Sequence, residues 1–229
     1  MARPSFVFCD ADAIIQFLLA QEVRPFRLLR SKYSIQPLVV PEVEIELLRP
    51  IRRFGNRVAP EFKKVVANGL LRVVDKNALA AHYGGAGGPM AAAAAMANIA
   101  KLGHEYQAHV DYGEAYTHAA ALTLGVPALS HDRSALEVLI HAGLSVPTTV
   151  LRAFDLIALC YQVGEMTEKD CDAFRAALLL EHEYLPKCFA HKSFGDGLKD
   201  FCPRICDIHV APVGSTGDPT LPYSAIVDL

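Results

Sequence analysis

Apolar positions follow two rhythms along the first half of this chain. Phe6 to Cys9 is a short uninterrupted apolar run closed by Asp10, too brief for a helix, which predicts a buried parallel strand. Ile14, Ile15, Leu18 and Leu19 then recur at helical spacing and predict a helix with one apolar face. Pro25, Pro41 and Pro60 each open a helix-like run, where the first turn needs no backbone N–H. Leu70 to Val74 (LLRVV) reads as a strand closed by Asp75, and Val126 to Ser130 (VPALS) as another. Strands alternating with helices predict an α/β fold: a three-layer α/β/α sandwich around a central parallel sheet.

The rhythm changes towards the C-terminus. Residues 84–97 (GGAGGPMAAAAAMA) read as an insertion, a Gly-rich hinge running into an Ala-rich helix. Gly164 marks a turn, and Thr167 with Asp170 forms a capping-box pattern for a helix ending near Leu180. The division expected is a sheet-bearing domain over 1–150, a helical C-terminal extension over 151–187, and a tail over 188–229 that holds Cys and His. From Ala211 the tail is rich in turn formers and is expected to lie extended or loosely ordered.

With 229 residues, 52% of them hydrophobic and 21% charged, the chain has the apolar material for a core, so wholesale disorder is excluded. The net charge of −3 gives no overall pull towards nucleic acid, but it hides an asymmetry. Residues 24–76 hold twelve Lys and Arg against five acids, whereas residues 105–183 hold four against twelve acids. Asp10 and Asp12 interrupt the N-terminal apolar stretch, no uninterrupted run reaches membrane-spanning length, and the six cysteines lack a secretory context. A soluble protein of the reducing cytoplasm is expected, with no membrane partner.

Four acids carry the chemistry. Asp10 ends the first strand and Asp132 lies just beyond VPALS, so both fall at the edge where the carboxyl ends of parallel strands line up and ligands bind. Glu46, on the helix opened by Pro41, and Glu114, at the start of the helix before VPALS, can be aimed at the same cleft. Converging carboxylates repel one another unless a cation neutralises them. Hard oxygen donors without His or Cys suit Mg²⁺ or Mn²⁺. Asp111 is a second candidate for the third acid, and Glu42 and Glu44 are alternatives to Glu46.

The stretches Phe6-Val-Phe-Cys-Asp10-Ala-Asp12, Pro41-Glu-Val-Glu-Ile-Glu46-Leu47, Gly113-Glu114 and Ser130-His131-Asp132 resemble the PIN-domain nucleases, the group that includes VapC-type toxins. The eighteen residues from Glu114 to Asp132, an Ala-rich helix, Gly125 and an apolar strand, match the arrangement of that family's third and fourth acids. Asp12 stands where the family has a small polar residue, His131 where one subgroup has a second Asp, and Leu136 where it has an Arg. The resemblance implies a metal-dependent endoribonuclease. Its metal ligands would be Asp10, Glu46, Glu114 and Asp132, with Asp12 as a fifth, and Ser130 would hydrogen-bond a metal-bound water. It also implies RNA as substrate, an antitoxin or other protein partner, and a homodimer. The Arg49, Arg52, Arg53, Lys63 and Lys64 side chains that follow Glu46 are candidates for holding the phosphate backbone.

Other patterns compete. An inactive PIN-like module that binds RNA or protein is the alternative within the same fold. Asp10-Ala-Asp12 also resembles the nucleophile motif of haloacid-dehalogenase-type phosphatases, with Gly195-Asp196-Gly-Leu-Lys-Asp200 as the later metal motif, although no clean strand precedes it. His104 and His109 are five apart, which puts them on different helix faces and excludes a zinc-protease motif. No phosphate-binding Gly-rich loop and no G-x-S-x-G elbow is present. Cys188, His191, Cys202, Cys206 and His209 have the ligand types of a structural Zn²⁺ site without its paired C-x-x-C knuckles, and free thiols are the reading preferred.

Overall fold

The computed structural model describes residues 5–49, 54, 56–83, 87–131, 133–147, 149–183 and 185–201. The apolar runs become β1 (Ser5–Cys9), β3 (Arg72–Val73) and β4 (Ala128–Leu129), joined by β2 (Ile35–Val39) and β5 (Val150–Leu151). The five strands form one all-parallel sheet in the order β3-β2-β1-β4-β5. Helices flank it, an arrangement compatible with a three-layer sandwich. Chain order runs outward from β1 to β3, then restarts on the other side with β4 and β5, so the topological switch point lies between β1 and β4.

β2 and β5 were not expected from the pattern. Pro37 sits inside β2 opposite Val7, where a proline argues against a central strand. It is tolerated because β3 pairs only with Leu38 and Val39, so at Pro37 that side of β2 carries no ladder. β5 has two residues, too few to show a period. LLRVV and VPALS likewise shrink to two paired residues each.

Between β1 and β2 run α1 (Ala11–Leu19) and α2 (Arg24–Tyr33), and between β2 and β3 run α3 (Pro41–Leu48) and α4 (Val58–Ala67). Pro25, Pro41 and Pro60 all fall in the first turns of their helices. The single apolar face expected for α1 is an underestimate: Ala11 and every residue from Ala13 to Leu18 are buried, because α10 and α9 cover its far side. The long crossover from β3 to β4 carries α5 (Lys76–Tyr83), α6 (Gly88–Tyr106) and α7 (Tyr112–Leu124). The Ala-rich stretch is the first half of α6, packed on both α5 and α7 with Ala92, Ala95 and Ile99 buried. Residues 84–86 of the Gly-rich entry lie outside the described residues.

After β4 come α8 (Arg133–His141), then, beyond β5, α9 (Ala153–Gln162), α10 (Glu168–Leu180), α11 (Lys187–Ala190) and α12 (Phe194–Asp200). The late helices share the core of the sheet. Phe154 stacks on Phe189 at 4.8 Å, Phe189 stacks on Phe194 at 5.0 Å, and all three are fully buried. No helix among the described residues is long and apolar enough to cross a membrane. Cys202, Cys206 and His209 of the candidate zinc set, and the tail from Ala211, lie outside the described residues. Cys9, Cys160, Cys171 and Cys188 are free thiols.

The capping box at α10 forms in full: Thr167 Oγ1 accepts from the Asp170 N–H at 3.2 Å, and Asp170 Oδ2 accepts from the Thr167 N–H at 2.8 Å. Arg24 adds an ion pair to Asp170 at 3.2 Å, tying the start of α2 to α10. The Thr167 hydrogen bonds, then Arg24, hold the Asp170 carboxyl well below its ordinary range. A carboxylate stabilised in this way contributes stability above the unfolded pKa, about 3.9, and loses that contribution as pH falls towards its folded value. Asp170→Asn should therefore have a lower urea midpoint than the wild type at pH 7, with the gap narrowing below about pH 4. A gap that stays constant with pH would show that the charge of Asp170 contributes nothing.

Candidate functional site

The register sets the site. Phe8 lies opposite Ala128 and Cys9 opposite Leu129, so the next step brings Asp10 level with Ser130 at the carboxyl ends of the two strands flanking the switch point. The Asp10 N–H donates to Leu129 O at 2.9 Å, and the Ser130 N–H to Leu151 O at 3.0 Å, fixing both residues to the sheet edge. Asp10 and Ser130 are buried, at 5% and 2% exposure. Gly125, left-handed at φ 63°, caps α7 and turns the chain into β4.

Glu114 enters from α7, which leads into β4 and so runs antiparallel to the strands with its N-terminus at their carboxyl edge. It too is buried. Its Oε1 accepts a hydrogen bond from Ser130 Oγ at 3.2 Å and lies 3.6 Å from Nε2 of the fully buried His118, one turn along the helix. The Ser130 hydroxyl is thus engaged by a carboxylate of the site. The i, i+4 spacing of Glu114 and His118 on one helix is the sequence signal for this contact.

Glu46 stands in the last turn of α3 and is exposed. Its carboxylate lies directly over Gly113: a Cβ added there would sit 2.7 Å from Glu46 Oε2 and 3.2 Å from Val43 Cγ2. Glycine at 113 is what lets α3 and α7 bring this carboxylate so close to the start of α7, one residue from Glu114. Asp12, in the first turn of α1, is exposed.

Electrostatics couple these groups. Burial, followed by the charges of Glu114, Asp12 and Glu46, pushes the Asp10 carboxyl well above its ordinary range, and the Ala11 N–H offsets this only in part. Partial desolvation of the carboxylate by the neighbouring protein, then Asp12 and Asp111, raises Glu46, against which Arg49 acts. Asp10 therefore feels Glu114, Asp12 and Glu46, and Glu46 feels Asp12 and Asp111. Asp132, the fourth acid of the sequence pattern, lies outside the described residues. Among the described residues no group of three His, Cys, Asp or Glu side chains is disposed to hold a metal ion.

The basic segment is partly neutralised. Arg24 pairs with Glu22 and Asp170, Lys32 with Glu165, Arg57 with Glu181, Lys64 with Glu61 and Arg72 with Asp75. Three of these pairs join the basic segment to the acidic one, so part of the charge asymmetry along the chain is cancelled in space. Arg49, adjoining Glu46, and Lys63 are exposed, while Arg52 and Arg53 lie outside the described residues. Gly195 to Asp200 belong to α12, with Asp196 and Asp200 paired to Lys199 and Lys192. Leu136 is buried in the main core, where an arginine has no place.

No family model, curated protein or solved structure matches the chain.

Proposed function

We propose that the protein is a divalent-metal-dependent ribonuclease of the PIN type, acting at the carboxylate cluster on the switch-point edge. One observation carries the reading: the buried Asp10 at the end of β1 stands level with Ser130, whose hydroxyl donates to the buried Glu114 carboxylate, and the negative charges of Glu114, Asp12 and Glu46 bear on it. Burying a carboxylate among like charges is costly, and clusters of this kind recur where a cation supplies the counter-charge. The donors are oxygens, which fit Mg²⁺ or Mn²⁺ better than Zn²⁺. Asp10, Glu114 and Asp132 would hold the ion, with Glu46 and Asp12 at the rim. The resemblance to PIN-domain nucleases in the sequence and the parallel sheet with its acids at one edge support the same reading.

Held by these carboxylates, a divalent ion would supply a water of lowered pKa and a counter-charge for the phosphodiester leaving oxygen. The chain's own residues orient and exclude. Ser130 donates to Glu114, and His118 Nε2 lies 3.6 Å from the same carboxylate oxygen. Burial of Asp10 and Glu114 keeps bulk water from screening these two charges. Arg49 and Lys63 offer exposed cations for the phosphate backbone.

The test is cleavage of a single-stranded RNA by purified protein. Cleavage should require Mn²⁺ or Mg²⁺ and stop on chelation. Glu114→Gln should slow it by at least about a hundredfold, the upper end of what loss of a supporting residue costs a metal site. Hydrolysis of a chromogenic phosphomonoester with RNA left intact would replace this reading with a phosphatase.

A further inference from the structure

We propose that Tyr112 is a stacking platform at the mouth of the acid cleft, on which one base of a single-stranded nucleic acid rests while its neighbouring phosphate faces Asp10 and Glu114. The inference rests on the nucleic-acid reading of the cleft and adds the side chain that holds the strand.

Three observations meet at this residue. Tyr112 is the first residue of α7, so it lies at the same sheet edge as the acids, followed directly by Gly113, which carries the Glu46 carboxylate against it, and by Glu114. The residue is 53% exposed, the one aromatic among the large exposed apolar residues described. About half of the residue stays in water beside the carboxylates, so its contact with Tyr116 uses only part of it. The ring is also fixed from behind. Tyr116, one turn along, stands 5.0 Å away at 58°, and Tyr116 is itself seated against Gly103 of α6, where an added Cβ would fall 2.6 Å from its ring.

A rigid exposed ring suits sequence-tolerant binding of single strands, because every base has a π-face and a held ring loses little freedom on stacking. Such sites combine aromatic platforms with cations that follow the backbone. Arg49 supplies an exposed cation near Glu46, across the α3–α7 contact from Tyr112. Duplex RNA keeps its bases stacked internally and offers no free face to this ring.

The test is binding of a single-stranded RNA ten-mer carrying 2-aminopurine, measured by anisotropy and fluorescence quenching in Ca²⁺, which neutralises the carboxylates, with a separate cleavage assay in Mn²⁺. Tyr112→Ala should weaken binding by roughly 5- to 150-fold, the loss of one base–aromatic stack. It should abolish the quenching and leave the salt dependence unchanged, since no phosphate contact is removed. Tyr112→Phe and Tyr112→Trp should keep wild-type affinity and quenching. Wild-type affinity and quenching in Tyr112→Ala would overturn the platform while metal-dependent cleavage by the wild type keeps the nuclease reading. A Tyr112→Phe variant as weak as Tyr112→Ala would also overturn it, since the contact would then be the hydroxyl. Wild-type protein that neither binds nor cuts the RNA would overturn both.

Discussion

Asp10→Asn is expected to abolish metal-dependent RNA cleavage and, in the presence of a chelator, to raise the melting temperature. The two effects have one cause. Asp10 is buried beside the charges of Glu114, Asp12 and Glu46, so its ionised form strains the folded state when no cation is bound. Asparagine has nearly the same shape and removes the charge. In a domain of 150–250 residues each 1 kcal/mol relieved raises the melting temperature by roughly 2–4 °C. Added Mn²⁺ should reverse the order. The wild type gains stability by mass action, about 2.7 kcal/mol at a hundred times the dissociation constant, while the variant, having lost a ligand, gains little. Thermal melts of both proteins, with and without Mn²⁺, check this directly. Parallel shifts would mean that Asp10 touches no metal, and full cleavage by the variant would end the nuclease reading.

Gly113→Ala is expected to separate activity from stability. The new methyl would fall 2.7 Å from Glu46 Oε2, the far end of an exposed side chain that can swing away, and 3.2 Å from Val43 Cγ2, which must yield slightly. Against that crowding, replacing Gly by Ala in a helix gains up to about 1 kcal/mol of propensity. The net change in stability should lie within about 1 kcal/mol. The Glu46 carboxylate, however, can no longer stand at the start of α7. Misplacement of a positioned group by about 1 Å costs on the order of a hundredfold in rate, and that loss should appear in RNA cleavage. The effect should vanish in a Glu46→Ala background, where no carboxylate remains to displace, because contacting residues couple non-additively. If Gly113→Ala cleaves at the wild-type rate, Glu46 plays no part in the site.

Much of the scaffold was readable from residue order because its causes are local. An apolar run of strand length closed by Asp10, prolines suited to first turns, Gly125 able to turn left-handed at the end of α7, and the reciprocal Thr167–Asp170 hydrogen bonds all act within a few residues of chain. Alternation of such elements was enough to predict a parallel sheet, and hence an edge shared by Asp10 and the end of VPALS, although Asp132, the acid expected there, lies outside the described residues. Strand β2 escaped because its Pro37 breaks a local rule that only the short reach of its neighbour β3 excuses. The burial of α1 on nearly every side escaped because the covering helices, α9 and α10, arrive some 140 residues later.

What the tertiary structure alone decided is which groups meet. Charge counted along the chain promised a basic face and an acidic one, but Arg24, Lys32 and Arg57 reach across to Asp170, Glu165 and Glu181, and pairing between distant segments leaves no trace in local composition. The approach of Glu46 to Gly113, the hold of Ser130 on Glu114 and the exposure of Tyr112 likewise depend on how α3, α7 and β4 dock. Residue types and spacing determined which acids were available at the sheet edge. Docking of the helices determined their mutual distances, because a carboxylate's environment is set by everything packed around it and only a small part of that is its own stretch of chain.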